Sequence, residues 1–176
     1  MVNRSKAKKM DKILHELLKD SSQSDRQIAK KLDVSQPTVS RVKKELVNKR
    51  FIEAFTIIPN FFNIGYELMA ISFVKFSNAL SSREEDQKAL GNAQRWMNEQ
   101  PNVIFCSFCR GLDSDGFMIS LHKNYQDFDR FIINHNYELG HQLKAVRSAL
   151  VNLSADQTIK PFNFKYLGEK QDFDLK

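Results

Sequence analysis

The stretch SDRQIAKKLDVSQPTVSRVKKELVN, residues 24–48, has the pattern of two short helices joined by a tight turn. Ser24 and Gln27 form a capping box, in which each side chain accepts a hydrogen bond from a free backbone amide at the helix start. Ser35 is the next N-cap candidate, and Pro37 follows in the first turn, where a missing amide hydrogen costs no hydrogen bond. The apolar positions of the first helix recur at helical spacing and are Ile28, Ala29 and Leu32.

The second of these helices, predicted over residues 36–48, exposes side chains of the types that bind nucleic acid. Its predicted inner face consists of Val39, Val42, Leu46 and Val47. Gln, Ser, Thr, Arg and Lys side chains reach base edges and phosphate oxygens. A short helix followed by a second that exposes such residues predicts a helix-turn-helix motif. The candidate DNA-binding residues are Arg26, Ser35, Gln36, Thr38, Ser40, Arg41, Lys43 and Lys44.

A further helix precedes the motif, over residues 10–19 (MDKILHELLK). Its apolar residues lie on one face and are Ile13, Leu14, Leu17 and Leu18. The three helices together form one small unit, in which the first two hold the third at a fixed angle for the major groove. The alternative is a generic three-helix bundle whose charged face is simply solvated.

Charge and aromatic content change together near residue 50. The 176-residue chain has 27 Lys and Arg against 21 Asp and Glu, a net charge of +6. Residues 1–50 hold 14 against 6, or +8, whereas residues 51–176 hold 13 against 15, or −2, and all 14 Phe lie in this second part. A basic unit points to double-stranded DNA as the partner. The predicted domains are a helix-turn-helix domain (1–50), a linker strand (51–66), a dimerisation and effector domain (67–160) and a C-terminal extension (161–176).

Composition also argues against several classes of protein. No apolar run approaches the ~20 residues of a membrane span, and no apolar segment follows the basic start as in a signal peptide. Two cysteines do not make a disulfide framework, so we expect a reducing, cytoplasmic compartment.

The second part of the chain alternates between strand and helix. A strand over 51–59 leaves the third helix, and a loop over 77–82 precedes the first body helix. The core elements follow as strand 68–76, helix 83–99, a buried strand 103–110, turn 111–116, strand 117–122, helix 125–137 and strand 145–153. This order predicts an α+β fold, a ferredoxin-like β-α-β-β-α-β sheet with both helices on one face. The uncovered face predicts a homodimer. Residues 161–167 are expected to add a strand and residues 172–176 to fray.

Several residues are candidates for binding or chemistry, each with a plainer alternative. Cys106 and Cys109 form a C-x-x-C but sit in an apolar strand, which favours two buried core thiols. A zinc ion would need ligands from His122, His135 and His141, whose spacing is not that of a metal site, so no metal is expected. No phosphate loop or nucleophile elbow occurs, so neither a catalytic residue nor a cofactor is predicted. Gly111, Asp113 and Asp115 either bind an amino-acid effector or form an ordinary turn, and Arg147 either pairs with a carboxylate or is solvated.

Two stretches of this chain resemble the leucine-responsive regulatory protein (Lrp/AsnC) family. They are MDKILHELLKDSSQSDRQIAKKLDVSQPTVSRVKKELVNKRFIEAF, at 10–55, and NFFNIGYELMAISFVKF, at 60–76. The resemblance covers roughly residues 8–153, and the positions that match the family pattern include Asp11, Ser35, Arg41 and Gly65. It implies a winged helix-turn-helix regulator of transcription that dimerises through its sheet domain, with further assembly of dimers and an amino-acid effector in many members.

The chain departs from the family pattern at three places. Arg50 stands where the family usually has Gly, and the helix after the first sheet strand, with its preceding loop, is longer than usual. The effector loop, Gly-Asp-Tyr-Asp in many members, is Gly-Leu-Asp-Ser-Asp-Gly over 111–116. DNA binding therefore carries over more directly than the effector. Siroheme decarboxylases resemble the same family and leave an enzyme as the alternative function, with the three histidines at a tetrapyrrole. A third class is an adaptor that senses an effector and binds other regulators.

Overall fold

The computed structural model describes residues 4–77, 83–154, 158–170 and 173, with all of their side chains except those of residues 4–6, 83–87, 89, 141 and 170. The chain forms two compact units, one from residues 1–58 and 160–176 and the other from residues 59–159. Most of the loop predicted over 77–82 and of the frayed end predicted over 172–176 lies outside the described residues. None of the described helices is both long and apolar enough to cross a membrane.

The helical unit contains α1 (Arg4–Lys19), α2 (Asp25–Leu32), α3 (Gln36–Asn48) and α6 (Lys165–Lys170). The predicted capping box is confirmed: the Gln27 amide donates to Ser24 Oγ at 3.3 Å, and the Ser24 amide donates to Gln27 Oε1 at 2.7 Å. Ser35 caps α3 by accepting from the Thr38 amide at 3.4 Å. The starts of α2 and α3 are therefore defined by side chains that the sequence places there.

The apolar faces of the first three helices close on one another. The buried core consists of Met10, Ile13, Leu14, Leu17, Ile28, Ala29, Val39, Val42 and Leu46. Val47 was predicted to belong to this core, and that prediction is wrong because its side chain is 42% exposed. It follows Leu46 by one residue, and successive helical residues point in different directions.

The end of α3 forms a Schellman motif instead of leading directly into a strand. The Arg50 amide donates to the Val47 carbonyl and the Phe51 amide to the Leu46 carbonyl, each at 2.9 Å. Arg50 has a φ of +57°, the left-handed conformation that this motif requires and that Gly adopts most easily. The strand predicted over 51–59 is wrong, because none of these residues pairs with another strand among the described residues.

Helix α6 packs against α1, where the sequence had suggested an added strand over 161–167. That prediction is wrong. A Cβ atom on Gly168 would lie 2.8 Å from the His15 carbonyl oxygen, so the two backbones approach too closely for a side chain at this position. Phe173 continues the contact: its amide donates to Asp11 Oδ1 at 3.2 Å, and its ring lies 4.6 Å from the ring of His15.

The sheet unit contains β1 (Leu68–Phe76), α4 (Arg83–Asn98), β2 (Val103–Gly111), β3 (Ser114–His122), α5 (Tyr125–Leu139), a 3₁₀ turn (Gly140–Gln142) and β4 (Leu143–Asn152). The strands pair antiparallel in the order β2-β3-β1-β4, which confirms the ferredoxin-like prediction. The turn between β2 and β3 is tighter than the predicted 111–116, because only Leu112 and Asp113 separate the strands. Both have positive φ, as the type I′ turn of a two-residue hairpin requires.

The two faces of the sheet differ in cover. On the helix-covered face Ala70, Ser72, Val74, Met118, Ser120 and His122 are buried. The other face carries a row of aromatic rings in which Phe117 lies 5.4 Å from Phe105 and 6.3 Å from Phe73. The prediction that β2 is buried is wrong: Phe105 is 51% and Phe108 63% exposed, because this strand lies at the edge of the sheet.

Candidate nucleic-acid interface

The outer face of α3 carries most of the predicted DNA-binding residues. Gln36, Arg41 and Lys44 are exposed, while Thr38, Ser40 and Lys43 are partly buried. The structure brings Ser40, Lys43 and Lys44 together around one shallow depression on this unit. Ser35 stands exposed at the start of the helix, and Arg26 is exposed on α2.

The cations of this unit fall into two groups. None of the residues described in the structure forms an ion pair with Arg26, Arg41 or Lys44, so their charges are available to an anionic partner. Lys43 is different: its Nζ lies 2.9 Å from Asp25 Oδ1, with 26% and 23% of the two side chains exposed. It also lies 5.7 Å from the centre of the Phe55 ring. Lys43 therefore joins α3 to α2, a role that the sequence analysis missed because no local spacing links residues 18 positions apart.

The turn between α2 and α3 sets the position of the second helix. Asp33 ends α2 in the left-handed conformation, with φ +52°, and its amide donates to the Ala29 carbonyl. At the other end, Ser35 Oγ lies 2.8 Å from Thr38 Oγ1. Both hydroxyls therefore fix the start of α3 and also lie at the helix end that a helix-turn-helix directs toward DNA.

A polar network anchors α1 to α2 behind this face. Gln23 Nε2 donates to the Glu16 and Asp20 carbonyls at 3.1 and 3.0 Å, and Lys31 Nζ donates to Glu16 Oε2 at 3.2 Å. Burial raises the pKa of Glu16, but its hydrogen bonds to Lys19 and Lys31 outweigh that effect and lower the pKa overall. The carboxylate thus stays ionised and holds both lysines.

The predicted effector residues lie on the β2–β3 hairpin. Asp115 accepts from the Phe76 amide at 3.0 Å and from Lys75 Nζ at 3.1 Å, and both contacts lower its pKa. Asp113 lies 3.4 Å from Lys75 and 3.7 Å from Arg147. The structure therefore brings Asp113 and Asp115, next to Gly111, into one cluster in which the acidic and basic charges balance.

The thiols and imidazoles that the structure describes do not come together as a metal site. No group of three or more His, Cys, Asp or Glu able to hold a metal occurs among the described residues, and the side chain of His141 lies outside them. Cys106 is exposed and Cys109 partly exposed, so the prediction of two buried thiols is wrong for the edge strand that carries them. Desolvation raises the pKa of the Cys106 thiol, the opposite of what a redox cysteine needs.

The two described sheet-domain histidines are buried. His122 is 0% and His135 1% exposed, and burial lowers the pKa of both imidazoles. His135 lines a cavity in which no described residue is charged. A siroheme-type tetrapyrrole carries several carboxylates, and none of the described residues that line this cavity is a cation that could pair with them. The enzyme alternative is therefore not favoured.

Comparison with known proteins agrees with this geometry. Residues 11–53 match the model of a winged helix-turn-helix DNA-binding family. An HTH-type transcriptional regulator of Pyrococcus horikoshii is 33% identical over 121 residues, which are 69% of this chain and 75% of that protein. A regulator of Pyrococcus abyssi is 32% identical over 121 residues, covering 69% of this chain and 76% of its own length.

Solved structures show the same fold. A transcriptional regulator of Neisseria meningitidis in complex with L-methionine has a TM-score of 0.72 at 15% identity, covering 90% of this chain and 95% of that one. An AsnC family regulator of Agrobacterium tumefaciens has a TM-score of 0.71 at 18% identity, covering 90% and 97%.

A helix-turn-helix with a free basic face, joined to a ferredoxin-like sheet, defines a DNA-binding transcriptional regulator. Within that class, this chain belongs to the Lrp/AsnC family.

Proposed function

We propose that this regulator binds a specific double-stranded DNA sequence as a homodimer and that α3 enters the major groove. The observation that carries the proposal is the outer face of α3, where Arg41 and Lys44 are exposed and unpaired among the described residues. Gln36, Thr38, Ser40 and Arg41 lie in the N-terminal part of α3, the end that contacts base edges in such motifs. We assign base contacts to these four residues.

Phosphate contacts are assigned to the remaining basic residues. Lys44 lies further along α3, and Arg26 lies on the helix that crosses the backbone in this motif. Ser35 donates its hydroxyl to a phosphate while its oxygen caps the helix. Lys43 acts mainly by holding α3 against α2 through Asp25, and its contribution to DNA affinity is therefore smaller than that of Lys44.

Dimerisation is assigned to the uncovered face of the sheet. An antiparallel sheet covered by helices on one side can leave its other face to water, but an apolar second face favours contact with another surface. Phe105, Phe117 and Phe73 form an aromatic row across three strands of that face. A second copy of the chain offers the matching surface, because a two-fold interface pairs one patch with itself. We also propose that such dimers associate further.

We also propose that the cluster on the β2–β3 hairpin binds a small zwitterion, such as an amino acid. Asp113 and Asp115 provide carboxylates for an ammonium group, and Lys75 and Arg147 provide cations for a carboxylate. The fold relative from Neisseria meningitidis was solved with L-methionine, which makes that amino acid the first effector to titrate. The candidate effector residues remain Gly111, Asp113 and Asp115. No catalytic activity is proposed, in keeping with relatives that are transcriptional regulators.

Two substitutions on α3 test DNA recognition. A binding site is first selected from random duplexes, and the wild type, Arg41→Ala and Lys44→Ala are then titrated against that site and against random DNA. We expect Arg41→Ala to cost about 1–3 kcal/mol on the selected site and less on random DNA. Lys44→Ala should weaken both equally and reduce the salt slope by about one contact.

The controls separate binding from folding. Both side chains are exposed, so the melting curves of the two variants should match that of the wild type. Lys43→Ala is the matched variant on the same helix, and we expect it to lower the melting temperature more than Lys44→Ala does. A DNA affinity that does not change with salt would refute DNA as the main partner, and equal losses of Arg41→Ala on both duplexes would assign Arg41 to the backbone.

A further inference from the structure

The first turns of α1 carry a group of basic residues that the helical core does not use. The helix begins at Arg4, ahead of the segment that matches the DNA-binding family, which starts at residue 11. At 1.5 Å per residue, residues 4–10 lengthen α1 by roughly 10 Å beyond that segment. Residues 4–12 hold one acidic side chain and five basic ones, which are Arg4, Lys6, Lys8, Lys9 and Lys12.

Three of these basic side chains, Lys8, Lys9 and Lys12, form the α1 basic cluster. All three are exposed. Lys8 and Lys12 are four residues apart and therefore neighbours on the helix surface. They lie on the side opposite the core, in which Met10 and Ile13 are each 1% exposed.

No described acidic side chain neutralises the α1 basic cluster, whose three lysines form no ion pair with any residue that the structure describes. Asp11 is the nearest acid in the sequence, but it lies 3.4 Å from His15 Nδ1 and accepts from the Phe173 amide at 3.2 Å. Glu16, the next acid along α1, pairs with two other lysines. The cluster is therefore available to an anion from outside the chain.

The basic residues are placed where they oppose the helix that carries them. Arg4 and Lys6 belong to the first turn, which contains no acidic residue, although the positive end of the helix dipole favours acidic residues there. Lys8 and Lys12 repel each other, because like charges four residues apart destabilise a helix. A bound anion would relieve both effects, whereas water relieves them only in part.

The geometry of α1 decides which kind of anion fits. An amphipathic basic helix can lie on an anionic membrane, but it then inserts its apolar face, and the apolar face of α1 is buried in the core. Only the charges are left for a partner. A DNA duplex presents a dense line of negative charge, about one per 1.7 Å of its axis, and the same unit carries α3.

We propose that the α1 basic cluster binds phosphates of the DNA duplex outside the base pairs that α3 contacts. Each subunit then contacts a longer segment of DNA than its recognition helix covers. The inference rests on the proposed function, since α3 places the helical unit on its site. Phosphate contacts carry no sequence information, so the cluster adds affinity and salt dependence but no base preference.

A double variant and two lengths of DNA test the proposal. Lys8→Gln/Lys12→Gln removes two charges and retains polar side chains of similar reach. The full-length wild type and the variant are titrated over a series of salt concentrations. One duplex contains the selected site alone, and the other adds about 10 base pairs, one helical turn, on each side. A long random duplex is the third substrate.

We expect the variant to bind the long specific duplex at least about tenfold more weakly than the wild type does, with a smaller salt slope. On the duplex trimmed to the site, the two proteins should bind equally. On long random DNA the variant should show the same loss as on the long specific duplex, because the lost contacts do not depend on sequence.

Two control variants separate position from charge. Lys8→Arg/Lys12→Arg keeps both charges and should bind as the wild type does. Lys123→Gln/Lys144→Gln makes the same change in net charge at two exposed lysines of the sheet unit, and it should not alter the difference between long and trimmed duplexes. The melting temperature of Lys8→Gln/Lys12→Gln should not fall, because the substitution removes a repulsion.

The proposal is overturned if Lys8→Gln/Lys12→Gln binds the long duplexes as tightly as the wild type does. It is also overturned if the loss is equal on the long and trimmed duplexes, or if a lower melting temperature accompanies the loss. The proposed function fails in a different way: the wild type would then select no sequence from random duplexes, while the loss of the variant on long random DNA would still report on the α1 basic cluster.

Discussion

The two units of this protein differ in how completely they bury their large apolar side chains. In the helical unit, the core residues from Met10 to Leu46 are at most 9% exposed, and the free outer face is basic. In the sheet unit, Phe105 and Phe108 are more than half exposed, on opposite faces of one edge strand. The helical unit therefore completes its core within one chain, whereas the sheet unit leaves large apolar side chains exposed, for which we have proposed a second copy of the chain as the cover.

The largest expected effect comes from creating a cavity in the core of the helical unit. Leu46 is 0% exposed, so Leu46→Ala should lower the unfolding free energy of the helical unit by about 2–5 kcal/mol and abolish DNA retention. Chemical denaturation followed by circular dichroism measures the loss. Val47→Ala is the matched control, since its exposed side chain should make the change worth at most about 0.5 kcal/mol. Equal destabilisation by the two variants would contradict the buried position of Leu46.

The second-largest expected effect concerns the uncovered face of the sheet. Phe105→Asp places a charge in the proposed dimer interface and should raise the dissociation constant of the dimer by about 100-fold or more. Sedimentation across a concentration series measures this constant. Phe108→Asp introduces the same charge on the other face of β2 and should leave dimerisation unchanged. If Phe108→Asp separates the subunits and Phe105→Asp does not, the interface lies on the helix-covered side of the sheet, and the proposal is contradicted.

A smaller effect is expected where the tail meets α1. Gly168→Ala directs a methyl group at the His15 carbonyl, so α6 must shift or undock, at a cost of about 1–3 kcal/mol. Thermal unfolding detects the loss, and amide exchange localises it to α1 and α6. Glu169→Ala, at an exposed neighbouring position of the same helix, serves as the control. Unaltered exchange protection in Gly168→Ala would mean that the close approach is not needed.

The smallest expected effect is a gain in the stability of the helical unit. Arg50→Gly removes the strain of a left-handed residue at the end of α3, a gain of about 0.5–1 kcal/mol after the added freedom of the unfolded chain is subtracted. A small rise in melting temperature is the expected result. Gly65 already has a positive φ, +94°, so Gly65→Arg should have the opposite sign. A fall in melting temperature for Arg50→Gly would assign the arginine side chain a contact that outweighs its backbone cost.

Local sequence signals predicted the elements whose causes are local. Ser24, Gln27 and Ser35 mark helix starts because a cap requires only residues within the same turn. The strand and helix order of the sheet unit was also evident, because hydrophobic periodicity depends on neighbours along the chain.

The errors arose where distant parts of the chain decide the outcome. Residues 51–59 have strand-like composition, but a strand needs a partner, and the sequence does not say whether one is available. Cys106 has apolar neighbours along the chain, yet it is exposed because β2 is at the edge of the sheet. The tail formed α6 because Gly168 fits against α1, a contact across about 150 positions that no local pattern shows. For the DNA-binding face, the sequence pointed to Arg41 and Lys44 but not to the pairing of Lys43 with Asp25.

The packing of α6 on α1 also sets an order of events during synthesis. A ribosome that adds ~5–20 residues per second makes residues 59–159 in roughly 5–20 s, and only afterwards does α6 emerge. The surface of α1 at His15 and Leu18 is not covered by α6 throughout that interval. The sheet unit is complete before the helical unit is, so the proposed dimer interface is available while the DNA-binding unit still lacks one helix. The proposed dimerisation can therefore begin during synthesis, before the helical unit has folded completely.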